Sequence, residues 1–174
     1  MTAHTLILMR HAKAVTPGGS ADFDRPLTER GRADAGAAGT WLADVGLRPG
    51  LVICSPAART RQTWHALAIA RATSDPNSNA PEVHYERGLY EGGRTELVDL
   101  IQAVPDDIAT VLVIGHNPTV SDVSLLLRPD GPGHAGTAGA GLRTAELVVH
   151  SVPGAWSTCE PGTAPVVKSY AARA

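Results

Sequence analysis

Four short apolar runs punctuate the chain: residues 6–9, Leu51–Cys54, Val83 with its neighbours, and residues 111–114. They alternate with segments of helical periodicity. An apolar run of strand length with no polar alternation is covered on both faces, and parallel neighbours need a crossover of helical length. The pattern therefore predicts an α/β fold, a three-layer α/β/α sandwich around a mostly parallel sheet. The end of the chain reads differently. "RTAELVVHSV" and "APVVKSYAA" flank "PGAW" as hairpin strands would, which predicts an antiparallel edge near the C-terminus.

Between the runs, Thr28 caps a helix whose Ala33, Ala37, Ala38, Trp41, Leu42 and Val45 form an apolar stripe, and Gly46 lies where it would stop. Ser55-Pro56 opens a second helix that dissolves at "TSDPNSNAP". "RTELVDLIQAV" is a third, and Pro118 starts a fourth that ends near Arg128. "GPGHAGTAGAG", residues 131–141, reads as a flexible loop. With 174 residues, 43% of them hydrophobic, and no repeat or linker, a single domain over 1–174 is expected.

A formal net charge of -2 provides no bulk attraction to nucleic acid or to an anionic membrane, and neither is expected as a partner. Cys54 and Cys159 are far apart and one ends an apolar run, so a disulfide is not expected and a reduced, cytoplasmic setting is. No run approaches the roughly 20 apolar residues of a membrane span.

Ionisable groups collect where the runs end, the edge at which open α/β sheets place ligands. Arg10 and His11 end the first run, Ser55 leads from the second into "SPAARTRQT", and "GHNP", residues 115–118, follows the fourth. Arginine holds a phosphoryl group through two oxygens at once and keeps its charge. A neutral imidazole can attack phosphorus, and a second can stabilise charge on the transferring group. The helices after Ser55 and His116 would add amide dipoles to an anion site.

The sequence resembles the histidine phosphatase superfamily, also called the phosphoglycerate-mutase-like or RHG family. The motifs that carry the resemblance are "LMRHAKA", with Ala12 in place of the signature Gly, "DRPLTERGRADA", "ICSPAARTRQT" and "VIGHNP". The short chain, without a large helical insertion after the second arginine motif, is most similar to the SixA-type phosphohistidine phosphatases. This resemblance implies His11 as a transiently phosphorylated nucleophile, Arg10 and Arg59 as the clamp, and His116 as stabiliser of the phosphoryl group. It selects Arg59 over Arg61, because the family arginine falls four residues after the motif serine. It also implies a hydrolase that needs no metal or other cofactor and acts on protein phosphohistidine or on a small phosphorylated metabolite.

In many members a glutamate after the third strand protonates the leaving oxygen, and "GLYEGG" offers Glu91 there, with Glu86 as a rival. Lys13 is close enough in sequence to His11 to touch phosphate. "ADFDRPL" reads as a solvated turn that orients Thr28, and His4, His65, His84, His134 and His150 read as solvated or structural. Other readings are a phosphatase of small esters or nucleotides, a catalytically silent phosphopeptide-binding module, a mutase, and a metal site of His11, His116 and an Asp. No closely spaced ligand cluster favours the last. The protein is expected to be a monomer or weak dimer.

Overall fold

The computed structural model describes residues 3–130 and 141–172. Its sheet holds six strands: β1 (His4–Arg10), β2 (Leu51–Cys54), β3 (Glu82–Tyr85), β4 (Thr110–Gly115), β5 (Leu147–Val152) and β6 (Val166–Tyr170). Their order is β3-β2-β4-β1-β5-β6. β1, β2, β3 and β4 pair in parallel, whereas β5 runs antiparallel to both β1 and β6. The sheet is thus mostly parallel with antiparallel pairing toward its C-terminal edge, as the alternation of runs predicts.

Alternate residues of β1 enter opposite cores, because side chains in a strand point to opposite faces in turn. Leu6 and Leu8 pack with helices α3 (Gly88–Glu91), α4 (Arg94–Gln102) and α5 (Thr119–Leu127) through Leu89, Leu97, Ile101 and Val123. Ile7 and Met9 pack with α1 (Glu29–Asp44) and α2 (Ala58–Ser74) through Ala38, Leu42, Trp64 and Leu67. Helices on both faces of one sheet make three layers.

Thr28 caps α1, its hydroxyl accepting from the Gly31 N–H at 3.0 Å, and Gly46 leaves the helix at φ +73°. The buried face of α1 differs from the hydropathy stripe: Ala33 is exposed, and Gly31, Asp34, Ala35, Ala38, Gly39 and Leu42 face inward. The reason is backbone contact. A Cβ on Gly39 would lie 2.2 Å from the Leu67 carbonyl oxygen, so α1 and α2 approach at a point where only glycine fits.

Two further boundaries shift. α2 begins at Ala58, two residues beyond the Ser55-Pro56 pair, and a separate turn of helix, α3, precedes α4. The loop at residues 131–141 lies, except for Gly141, outside the described residues, as does His134. Cys54 and Cys159 are both buried and free. Among the described residues no helix is long and apolar enough to cross a membrane.

Candidate active site

The C-terminal ends of β1, β2 and β4 are laced together by backbone. The His11 N–H donates to the Gly115 carbonyl at 3.0 Å and the Ser55 N–H to the Ile114 carbonyl at 3.1 Å. The side chains of His11, Ser55 and His116 are thereby delivered to one edge by neighbouring strands. The His11 and His116 rings lie 5.3 Å apart between centroids.

The His11 ring has a determined tautomer. Nδ1 is 2.7 Å from the Ala12 carbonyl oxygen, which can only accept, so Nδ1 carries the proton and Nε2 keeps its lone pair. Burial pushes the His11 pKa down to about 4, with Arg59, Arg10 and Arg25 adding repulsion and the Ala12 bond opposing them. Burial, followed by His11 and Arg59, pushes His116 down to about 3. Both rings are neutral at pH 7.

Arg10 and Arg59 are held by part of their guanidinium groups. Arg10 Nη1 donates to the Leu142 carbonyl at 3.2 Å. Arg59 Nη1 donates to the Asp22 carbonyl at 2.8 Å and Nη2 to the Asp22 carboxylate at 3.1 Å. Arg10 Nε, Arg59 Nε and His116 Nδ1 are buried and have no hydrogen-bond partner among the described residues. Buried donors without partners are costly, and a cluster of them around a neutral imidazole is what an incoming anion would satisfy.

The loop over residues 22–25 is more than a solvated turn. Asp22 sits in the one-turn 3-10 segment Asp22–Asp24 and gathers Arg59, Arg25 and the Tyr90 hydroxyl, the last at 2.8 Å. Tyr90 stands edge-on to His116 with centroids 5.6 Å apart, and Phe23 packs edge-on against Tyr90 at 5.1 Å. Asp22, Tyr90 and Ser55 are site residues that the sequence reading did not assign. Ser55 at least ends a strand beside the motif arginine. Asp22 is 37 residues from Arg59 and 68 from Tyr90, and no local pattern links such partners.

The remaining predicted residues are placed as follows. Arg61 bonds the Pro56 carbonyl on an exposed flank. Glu91 closes α3, and its carboxylate accepts from Arg87 Nη2 at 3.3 Å with the side chain 60% exposed. Lys13 is exposed and lines a surface cleft with Arg30, Asp34 and Arg143, while its carbonyl accepts from the Thr28 N–H. His4 and His150 are buried and bonded to backbone carbonyls, His65 is exposed, and His84 bonds Glu82 at the sheet edge. Among the described residues no three His, Cys, Asp or Glu gather as metal ligands.

Residues 6–106 match the histidine phosphatase superfamily (branch 1). The chain belongs to that superfamily. An uncharacterized protein of Mycobacterium tuberculosis is 36% identical over 168 residues, which is 95% of this chain and 100% of the relative. Among solved structures, a candidate phosphohistidine phosphatase SixA from Nakamurella multipartitia superposes with TM-score 0.82 at 35% identity, covering 98% of this chain and 96% of that one. A second such candidate, from Agrobacterium tumefaciens, gives TM-score 0.77 at 28% identity, covering 97% and 99%. The superfamily and the site together make this histidine phosphatase a hydrolase of phosphoryl groups.

Proposed function

We propose that this histidine phosphatase hydrolyses protein phosphohistidine through a phosphorylated His11. The observation that carries the reading is the His11 ring itself: Nδ1 is tied to the Ala12 carbonyl, which leaves Nε2 as the free nucleophile beside unpartnered donors of Arg10, Arg59 and His116. In the first step Nε2 attacks phosphorus. A P–N bond to His11 forms as the substrate's P–N bond breaks, and the released imidazole nitrogen takes a proton. In the second step water attacks the phosphorus of phospho-His11 and gives up one proton to solvent, the P–N bond breaks with its electron pair returning to Nε2, and inorganic phosphate leaves with the water oxygen. Arg10 and Arg59 hold the equatorial oxygens through both steps, and the His116 Nδ1–H meets the charge that builds on them during transfer.

A phosphoramidate supports this reading because its nitrogen is readily protonated in water and needs no strong acid from the enzyme. Asp22 is no such acid: the Tyr90 hydroxyl, Arg25 and Arg59 hold its pKa at about 2. Glu91 is the proposed acid for ester substrates, and it would have to leave Arg87 to act. A macromolecular substrate is supported by the connection from β3 to β4, which leaves the sheet at the site edge and carries only the short helices α3 and α4. The protein is proposed to act without a metal or other cofactor, as a monomer or weak dimer. A reducing, cytoplasmic setting is supported by the two buried free cysteines.

The test offers purified protein, with EDTA present, a phosphohistidine carrier protein, a phosphoserine peptide, and sugar and nucleotide phosphates. Phosphate release is expected to be fastest from phosphohistidine and absent in His11→Ala, with circular dichroism matching the parent. Turnover retained by a folded His11→Ala would remove the nucleophile assignment. Preference for sugar or nucleotide phosphates would move the substrate to small esters.

A further inference from the structure

His116 reaches the site at the end of β4, and its Nε2 is 2.7 Å from the hydroxyl of Ser55 at the end of β2. Ser55 is fully buried, so water does not share its hydrogen bonds. Its Oγ also lies 3.3 Å from the Ala57 N–H, which can only donate. A hydroxyl has one proton and two lone pairs. With one lone pair taken by Ala57, the proton has one destination among the described residues, His116 Nε2.

The alternative arrangement is worse by counting. Were Nε2 the protonated nitrogen, it would donate to Ser55, the Ser55 proton would have no acceptor, and His116 Nδ1 would present a buried lone pair. A lone pair there would repel a phosphoryl oxygen, whereas an N–H would bind it. We propose that Ser55 is a positioning residue that holds His116 in the neutral Nδ1–H tautomer, so that its free donor is aimed at the transferring phosphoryl group.

This rests on the phosphatase reading for its consequence, and on the hydrogen bonds alone for its geometry. The groups around His116 come from four other elements: His11 and Arg10 at the end of β1, Arg59 on α2, Asp22 on its 3-10 segment and Tyr90 on α3. Of these, the two arginines and His11 disfavour a protonated His116 and Asp22 favours it. A residue that sets a tautomer acts on rate while leaving the substrate's own contacts in place.

The experiment is a long-range 1H–15N spectrum of the uniformly labelled full chain at pH 7.5, with His116 assigned by its loss in His116→Gln. The parent is expected to show a protonated Nδ1 and an unprotonated Nε2. Ser55→Ala should show a mixture of tautomers, with kcat on para-nitrophenyl phosphate lowered roughly 10-fold or more. That is less than the about 10²–10³ of losing the donor outright. KM should change little, and Ser55→Thr should restore the tautomer and most of the rate. A parent with protonated Nε2 would overturn the proposal, as would Ser55→Ala with an unchanged tautomer. The parent spectrum decides the point even where Ser55→Ala fails to fold. A protein inert on every phosphorylated substrate yet holding Nδ1–H at His116 would remove the phosphatase reading and leave the tautomer standing.

Discussion

Arg59 reaches from the first turn of α2 to Asp22 and places one guanidinium nitrogen on its backbone carbonyl and another on its carboxylate. The same carboxylate oxygen accepts from Tyr90, so one exposed residue aligns a buried arginine and an aromatic ring beside the second histidine. Asp22→Asn should therefore disturb alignment more than stability. The carboxylate is half exposed, asparagine keeps an oxygen for Arg59 Nη2 and the Tyr90 hydroxyl, and the Asp22 backbone carbonyl still holds Arg59 Nη1. The melting temperature should move little, while KM for phosphorylated substrate rises and kcat falls. A large loss of stability with unchanged kinetics would show that the loop's role is structural.

The buried histidine pair predicts the acid stability profile. The folded protein resists protonating His11 until about pH 4 and His116 until about 3, whereas the unfolded chain takes up both protons near the ordinary value of 6.5. Stability rises with pH wherever the unfolded state binds more protons. The contribution of the pair is thus present above about pH 6.5 and is lost as pH falls through about 4 and 3. Denaturant titrations from pH 7 to 4 should show this decline, and His11→Asn should flatten it. Parallel profiles for the two proteins would mean that His11 titrates normally.

Glu91 is tested by the leaving group. If it donates a proton, Glu91→Gln should cripple hydrolysis of an alkyl phosphate and spare para-nitrophenyl phosphate, whose phenolate leaves unprotonated. Phosphohistidine should be largely spared as well. Equal losses on all three substrates would assign Glu91 a structural part through Arg87, and no loss on any would leave it a loop carboxylate.

Two glycines of α1 should respond in opposite directions to the same change. At Gly36 an added Cβ meets only the Ala70 Cβ, at 3.8 Å, and alanine should stabilise the helix by up to about 1 kcal/mol. At Gly39 the added carbon would meet the Leu67 carbonyl oxygen at 2.2 Å, forcing the helices apart at a cost of about 1–3 kcal/mol. Melting temperatures of Gly36→Ala and Gly39→Ala read the contrast. A Gly39→Ala protein as stable as its parent would mean that α1 and α2 can slide.

Local pattern in the chain determined the layered sheet, the caps at Thr28 and Gly46, and the delivery of Arg10, His11, Arg59 and His116 to one edge. Strand period, cap chemistry and motif spacing act over a few residues, so they are legible without coordinates. The inward face of α1 was misread because glycine carries no hydropathy signal, and its value there lies in approach to the backbone of α2. The reach of Arg59 to Asp22, the Tyr90 edge on His116 and the Ser55 hydroxyl on its ring were decided by tertiary structure alone. Each is a pairwise contact between residues 26 to 61 positions apart, and a contact across such a span depends on where the fold sets two backbones.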